Sequence, residues 1–239
     1  MSGTVLPVIA IDGPSASGKG TIARVVADHF GFHYLDSGAI YRALALAARR
    51  AGTDDTDLVH VARNLDLRFS GEAVLLDGED ATDEVRSEDV GNLASRIATI
   101  AAVREALLAR QRAFRIAPGL VADGRDMASV VFPDAVIKVF VAASVAERAR
   151  RRAWQLARAA ESAKGLMGKE KDDNIAALFE SFLGPVTADL EARDRRDSER
   201  AAAPLRMAEG ARYLDTTNLN AAQAAATVID WAGAALRPA

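Results

Sequence analysis

Cysteine is absent from this 239-residue chain. That excludes disulfides, thiolate catalysis and cysteine-ligated metals. Histidine is scarce, and His29, His33 and His60 match no metal-ligand spacing such as H-E-x-x-H. A basic surplus is missing too: the formal net charge is −3, against broad electrostatic binding to nucleic acid. No apolar run is long enough to cross a membrane. The opening Met1-Ser2-Gly3-Thr4 carries no basic segment followed by a long apolar one, so no signal peptide is expected. Internal repeats and low-complexity tails are also lacking. The expectation is a soluble, cytoplasmic protein without nucleic-acid or membrane partners. Half of the residues are hydrophobic, enough for one large core with inserted parts.

The most informative segment is Val8-Ile9-Ala10-Ile11 followed by Asp12-Gly13-Pro14-Ser15-Ala16-Ser17-Gly18-Lys19-Gly20-Thr21. A short apolar strand runs into a glycine-rich loop, and the loop opens a helix with Ile22, Val25 and Val26 at helical spacing. Such a loop turns backbone N–H groups toward phosphate oxygens, Lys19 adds a mobile positive charge, and the helix N-terminus faces the same anion. Gly13, Gly18 and Lys19 satisfy G-x-x-x-x-G-K, but Gly20 stands where Ser or Thr usually binds Mg²⁺, and Thr21 follows one position late.

The rest alternates. Strands are expected over 8–11, 32–35, 120–122, 136–141 and 213–214, and helices over 20–30, 39–51, 90–115, 144–160, 175–193 and 221–236. Asn220 and Gln223 form a capping-box pattern before the last helix. Short apolar strands between helices predict an α/β fold: a parallel five-stranded sheet with helices on both faces and ligands at the carboxyl ends of the strands. Two stretches break the rhythm. Residues 65–76 read as a β-hairpin and hence an inserted subdomain. Residues 161–173 are charged and aperiodic, and read as a mobile loop or lid.

Charged clusters fall at strand ends and in loops: Asp36-Ser37-Gly38 with Arg42, Asp123-Gly124-Arg125-Asp126, Arg148 to Arg152, and Arg193 to Arg200. Each has a plainer reading as a helix cap, a turn or a solvated helix face. Together with a phosphate loop they suit phosphoryl transfer to a phosphate acceptor. A phosphate monoester is largely ionised near neutrality, its second pKa being about 6, so it needs charge neutralisation rather than a general base.

These residues resemble bacterial cytidylate kinases, in the P-loop nucleoside monophosphate kinase family. The resemblance is carried by I-D-G-P-S-A-S-G-K-G-T (11–21), L-D-S-G-A-I-Y-R (35–42), V-R-E-A-L-L-x-R-Q-R (103–112), A-D-G-R-D-M (122–127) and R-D-x-R-D-x-x-R (193–200), spread over nearly the whole chain. Glycine after the P-loop lysine is usual in that family. The resemblance implies a P-loop NTPase-like core (1–62, 101–150, 198–239), a small monophosphate-binding insert (63–100) and a lid (151–197). It implies transfer from ATP, with Mg²⁺, to CMP or dCMP by a monomer. By position it puts Gly13, Pro14, Ser15, Ala16, Ser17, Gly18, Lys19, Gly20 and Thr21 on the ATP phosphates, with Arg148 and Arg152 contributed from the lid. Ser15, Ser37, Arg42, Arg125 and Arg200 would hold the acceptor phosphate. Ser95, Arg104 and Asp126 would read cytosine, and Arg193 and Asp197 would approach the sugar. Lys19, Arg125, Arg193 and Arg200 would act in catalysis, and Asp36 and Asp123 would orient Mg²⁺ through water. The stretch 159–173 is longer and richer in Lys and Gly than the family's lid. A P-loop kinase for UMP, AMP or shikimate, and a nucleotide switch, remain as alternatives, though the N-K-x-D motif of a GTPase is absent.

Overall fold

Four apolar residues and a terminal acid, Val8–Asp12, set the architecture: every one of the five is buried, so this strand needs cover on both faces. The computed structural model describes residues 5–53, 57–71, 73–162 and 168–237. In chain order, β1 (Val8–Asp12), α1 (Lys19–Phe30), β2 (His33–Asp36), α2 (Ser37–Ala51) and α3 (Leu58–Arg63) lead into β3 (Leu67–Ser70), β4 (Ala73–Leu76) and β5 (Glu79–Asp80). Next come α4 (Thr82–Arg86), α5 (Glu88–Ile97), α6 (Ala101–Arg112) and β6 (Leu120–Gly124). A π-helical turn (Met127–Val131) precedes β7 (Ile137–Ala142), α7 (Val145–Ser162), α8 (Gly168–Glu199), β8 (Arg212–Asp215) and α9 (Ala221–Leu236).

The main sheet has the order β2-β6-β1-β7-β8, and every pairing in it is parallel. Alternate residues of β1 feed two cores. Ile9 and Ile11 pack with Ile22, Val26, Val139, Val141 and Val228 under α1 and α9. Val8 and Ala10 pack with Leu35, Ile40, Leu44, Leu107, Leu120 and Phe132 on the other face. Parallel register aligns the strand ends: Asp12 lies opposite Gly124, and Asp36 opposite Asp123. The expected hairpin is present as β3 and β4, with β5 completing a small antiparallel sheet. Val74, Leu76 and Val85 belong to the same apolar cluster as Val8, so this small sheet shares the main core. No helix among the described residues is long and apolar enough to cross a membrane.

Some boundaries differ from the sequence expectation. The helix expected over 90–115 is two helices, because residues 98–100 make competing bonds. Thr99 Oγ1 donates to the Arg96 carbonyl at 2.7 Å, Arg104 takes the Ala98 carbonyl, and Ile100 is extended. The loop expected over 161–173 is largely helical instead: α7 runs to Ser162 and α8 begins at Gly168, while 163–167 lie outside the described residues. Helix α8 lays one narrow face on α7, so its polar sequence carries little periodicity. Lys171 pairs there with buried Glu161 at 3.5 Å. The short helices α3 and α4, the strand β5 and the π-helical turn were not expected.

The π-helical turn is fastened by Asp12. Its two carboxylate oxygens accept the backbone N–H groups of Met127 and Ala128, each at 2.8 Å. This clamp fixes where the chain goes after Arg125 and Asp126. Burial pushes the Asp12 carboxyl up to about 7, the two backbone bonds opposing that shift. The native state therefore binds this proton more tightly than the unfolded chain, for which the ordinary value is 3.8. The resulting stabilisation is complete below pH ~4 and disappears as pH rises to about 7. The unfolding free energy of wild type minus that of Asp12→Asn, from urea titrations, should decline across this window; a flat difference contradicts the assignment. Gly13 makes a second close approach, since a Cβ there would lie 2.1 Å from the Val141 carbonyl oxygen. Gly13→Ala should lower stability by about 2 kcal/mol or more, read as a shifted urea midpoint.

Candidate active site

The loop between β1 and α1 is wound by two left-handed residues, Ala16 (φ 58°) and Gly18 (φ 87°). Gly18 precedes α1 with no side chain capping its first amides, so these point into the loop, where an anion is favoured. Gly13 donates to the Gly124 carbonyl at 3.3 Å and Pro14 is half-buried beside it, so these two form the back of the loop. The Lys19 ammonium is desolvated and lies near Arg125, which pulls it down to about 8 despite Asp123 and Asp36. Gly20 has a packing reason. A Cβ there would lie 3.2 Å from Asp123 Oδ2 and 3.6 Å from the Tyr34 hydroxyl, so a side chain at this position crowds Asp123.

Asp36 and Asp123 close this corner. Asp36 Oδ1 accepts the Ala39 N–H at 3.0 Å and so caps α2. Asp123 accepts from the Tyr34 hydroxyl at 2.6 Å. Burial, then the neighbouring Asp36, hold the Asp123 carboxyl above the usual range; Lys19 opposes them. Among the described residues no three His, Cys, Asp or Glu side chains form a metal-binding group.

The side chains expected around the acceptor line one cleft, reaching from Ser15 and Ser37 through Arg42 and Ser95 to Arg200. The loop after β6 supplies its centre. Arg125 donates from Nε to Asp197 Oδ2 at 2.8 Å and from Nη2 to Ser15 Oγ at 2.7 Å. Asp126 is ion-paired with Arg104, whose guanidinium lies 5.6 Å from the centre of the Tyr41 ring. Arg200 Nη2 is 3.9 Å from Asp126 Oδ1 and is buried with no hydrogen-bond partner among the described residues. Helix α8 carries Arg193, which donates to Asn92 Oδ1 at 3.0 Å and Glu88 Oε2 at 2.8 Å. Ser95 Oγ is engaged by Arg196 Nε at 3.0 Å. Asp197 and Arg193 are buried, so both face inward despite their charge.

A second cleft lies on the other side of the loop, lined by Ala16 to Ile22, Arg151, Trp154, Arg158 and residues 216–221. Lys19 lines this second cleft and also a recess whose Ser15, Arg42, Arg125 and Arg193 are shared with the first cleft. Arg148 and Arg152 are not on the second cleft. Arg148 is buried and grips Asp194 through two bonds of 2.6 and 3.1 Å, with a third to the Ser15 carbonyl at 3.1 Å. Arg152 lines the recess and pairs with Glu88. Arg151, which stands in the charged cluster at 148–152 but was given no role by the sequence, donates to the carbonyls of Thr216 at 2.5 Å and Ser17 at 3.5 Å. The sequence reading missed Asp12, Glu88 and Trp154. An R-R-R run at 150–152 carries no mark telling which arginine faces the loop.

Two concave regions thus meet at one lysine and one glycine-rich loop, the arrangement that transfer of a group between two anions requires. The family model described as cytidylate kinase matches residues 9–233. A cytidylate kinase of Ralstonia pickettii is 53% identical over 228 residues, covering 94% of this chain and 91% of its own. One of Ralstonia nicotianae is 52% identical, covering 95% and 93%. One of Cupriavidus necator is 52% identical over 238 residues, covering 98% and 99%. With the glycine-rich loop, the small antiparallel sheet and the arginine-lined cleft all inside the matched residues, this chain belongs to the cytidylate kinase family.

Proposed function

We propose that the protein transfers the γ-phosphoryl group of ATP to CMP or dCMP, giving ADP and CDP or dCDP. The observation that carries this reading is a single cleft that combines a buried Arg104–Asp126 pair with Arg42, Arg125, Arg193 and Arg200, beside the lysine of the phosphate loop. The pair suits cytosine, with an acceptor for its exocyclic amine and donors for its ring acceptors; Ser95 stands nearby. The arginines suit a monoester dianion.

The acceptor phosphate is already ionised, so no residue removes a proton from it. Repulsion between two polyanions is the barrier. Arg42, Arg125 and Arg200 neutralise the incoming phosphate, and Ser15 and Ser37 orient it. Arg125 is held straight by Asp197 and Ser15. The buried, unpartnered Nη2 of Arg200 gains the acceptor it lacks. Arg193 and Asp197 reach toward the sugar, and Arg193, with Lys19, serves the phosphoryl group in transit. The loop amides from Ala16 to Thr21 hold the donor phosphates, and Arg151, Trp154 and Arg158 border the nucleoside end of that cleft. Arg148 supports the loop from behind. Mg²⁺ would neutralise donor phosphate charge. Asp36 and Asp123 fit it as an in-register pair of hard oxygen donors, acting through water because two carboxylates leave most of its coordination to water and phosphate oxygens. The insert comprises 63–100 and the lid 151–197; their approach excludes water that would otherwise take the phosphoryl group.

Direct quantitation of nucleoside diphosphates formed from CMP, dCMP, UMP and AMP with ATP and Mg²⁺ tests the reaction. CMP or dCMP should lead; preference for UMP or AMP would favour another acceptor. Two further outcomes are specific to this site. Protonated Lys19 is the binding form, so kcat/KM for ATP should fall as pH rises through about 8, while kcat at saturating ATP holds to higher pH because bound phosphate keeps the ammonium charged. Asp126→Asn should reduce the kcat/KM preference for CMP over UMP by about 5- to 150-fold, with KM for ATP within about twofold, since an unpaired buried polar group is worth about 1–3 kcal/mol. An unchanged preference would remove Asp126 from base reading.

A further inference from the structure

In the first turn of α5, Glu88 reaches across the recess to two other helices. Its Oε1 accepts from Arg152 of α7, at 2.8 Å from Nε and also from Nη2; its Oε2 accepts from Arg193 of α8 at 2.8 Å. Two further donors of these forks are engaged: Arg152 Nη1 with Gln155 at 3.2 Å, and Arg193 Nε with Asn92. Both arginines line the recess that also contains Ser15, Lys19, Arg42 and Arg125. A carboxylate and a phosphate oxygen use the same guanidinium N–H groups, and one N–H in good geometry serves one of them. Burial pushes the Glu88 carboxyl up, but Arg152, Arg193 and Arg42 outweigh it and keep it ionised below its usual range. About a third of the side chain is exposed, so it has water to turn to when released.

We propose that Glu88 is an internal competitor for phosphate: it occupies Arg152 and Arg193 in the free protein and gives them up to the phosphate of an entering nucleotide, so that its charge sets the affinity of this recess for anions. The inference rests on the reading of the recess as a phosphate site. The bonds of Glu88 among the described residues go to Arg152 and Arg193 and not to the loop, so its role lies in affinity and not in the transfer step. It also ties α5 to α7 and α8 while no nucleotide is bound, and an incoming phosphate replaces that tie with its own.

The test uses the full chain and inorganic sulfate, which stays dianionic near neutrality. Glu88→Gln keeps the shape and removes the charge. Sulfate should bind about tenfold more tightly to it than to wild type by calorimetry, and KM for CMP should fall by a similar factor while kcat does not rise. Asp189→Asn is the control. Asp189 lines the same recess but accepts from Asn92 Nδ2 at 3.4 Å, so its variant should change sulfate affinity by less than about threefold. Equal gains in the two variants would reduce the effect to net field, and unchanged or weaker sulfate binding by Glu88→Gln would overturn the proposal. Should Glu88→Gln not fold, Glu88→Asp decides: its shorter acid cannot span both arginines, and sulfate must bind it more tightly than wild type. The sulfate result does not depend on turnover. Failure of wild type to form CDP would strike the proposed reaction and leave this arm standing on its own.

Discussion

Like charges crowded into one cleft are the constraint on which this structure depends. Arg42, Arg125, Arg193 and Arg200 line a common wall, with Lys19 beside it. Left alone, they would repel one another and resist burial. The chain answers with carboxylates placed behind or between them: Asp197 against Arg125, Asp126 between Arg104 and Arg200, Asp194 against Arg148, and Glu88 between Arg152 and Arg193. Each acid also fixes a direction. Arg125 points where it does because Asp197 and Ser15 hold two corners of its fork. The partners that stabilise the folded state are the ones that pre-orient the site, so little rearrangement remains for the substrates.

The sheet supplies the frame. A strand buried on both faces must have neighbours on both sides, and parallel register then brings Asp12, Asp36, Asp123 and the phosphate loop to one edge. Asp12 links the two chemistries. Its carboxylate joins the end of β1 to the turn that follows Arg125 and Asp126, so the glycine-rich loop and the Arg104–Asp126 pair are placed by one group. Long α8 does the same at larger scale, running from the lid region to Arg193 and Asp197. Movement of that helix would therefore be felt by Arg193 and Asp197 directly.

What the amino-acid sequence made legible was local. The strand–loop–helix at 8–30, the strand order of alternation and the hairpin at 65–76 follow from periodicity and glycine placement within short windows. Resemblance to a family, and not spacing, singled out Arg42, Arg125, Arg193 and Arg200, which the structure gathers along one cleft. Asp12, Glu88 and the role of Arg151 were missed because their partners lie far along the chain: 115 residues separate Asp12 from Met127, and 105 separate Glu88 from Arg193. The break between α5 and α6 was missed for another reason. Ala98-Thr99-Ile100 contains neither Gly nor Pro, and the interruption comes from the bonds of Thr99 and Arg104. The polar start of α8 concealed a helix because it has only one neighbour to bury against.

In the proposed reaction one cleft neutralises the acceptor phosphate at one end and reads the base at the other. A crystal structure with CMP bound tests it most directly. The phosphate is expected among Ser15, Arg42, Arg125 and Arg200, with the cytosine amine on Asp126 and its ring acceptors toward Arg104. A nucleotide seated with its base toward Lys19, or outside this cleft altogether, would contradict it.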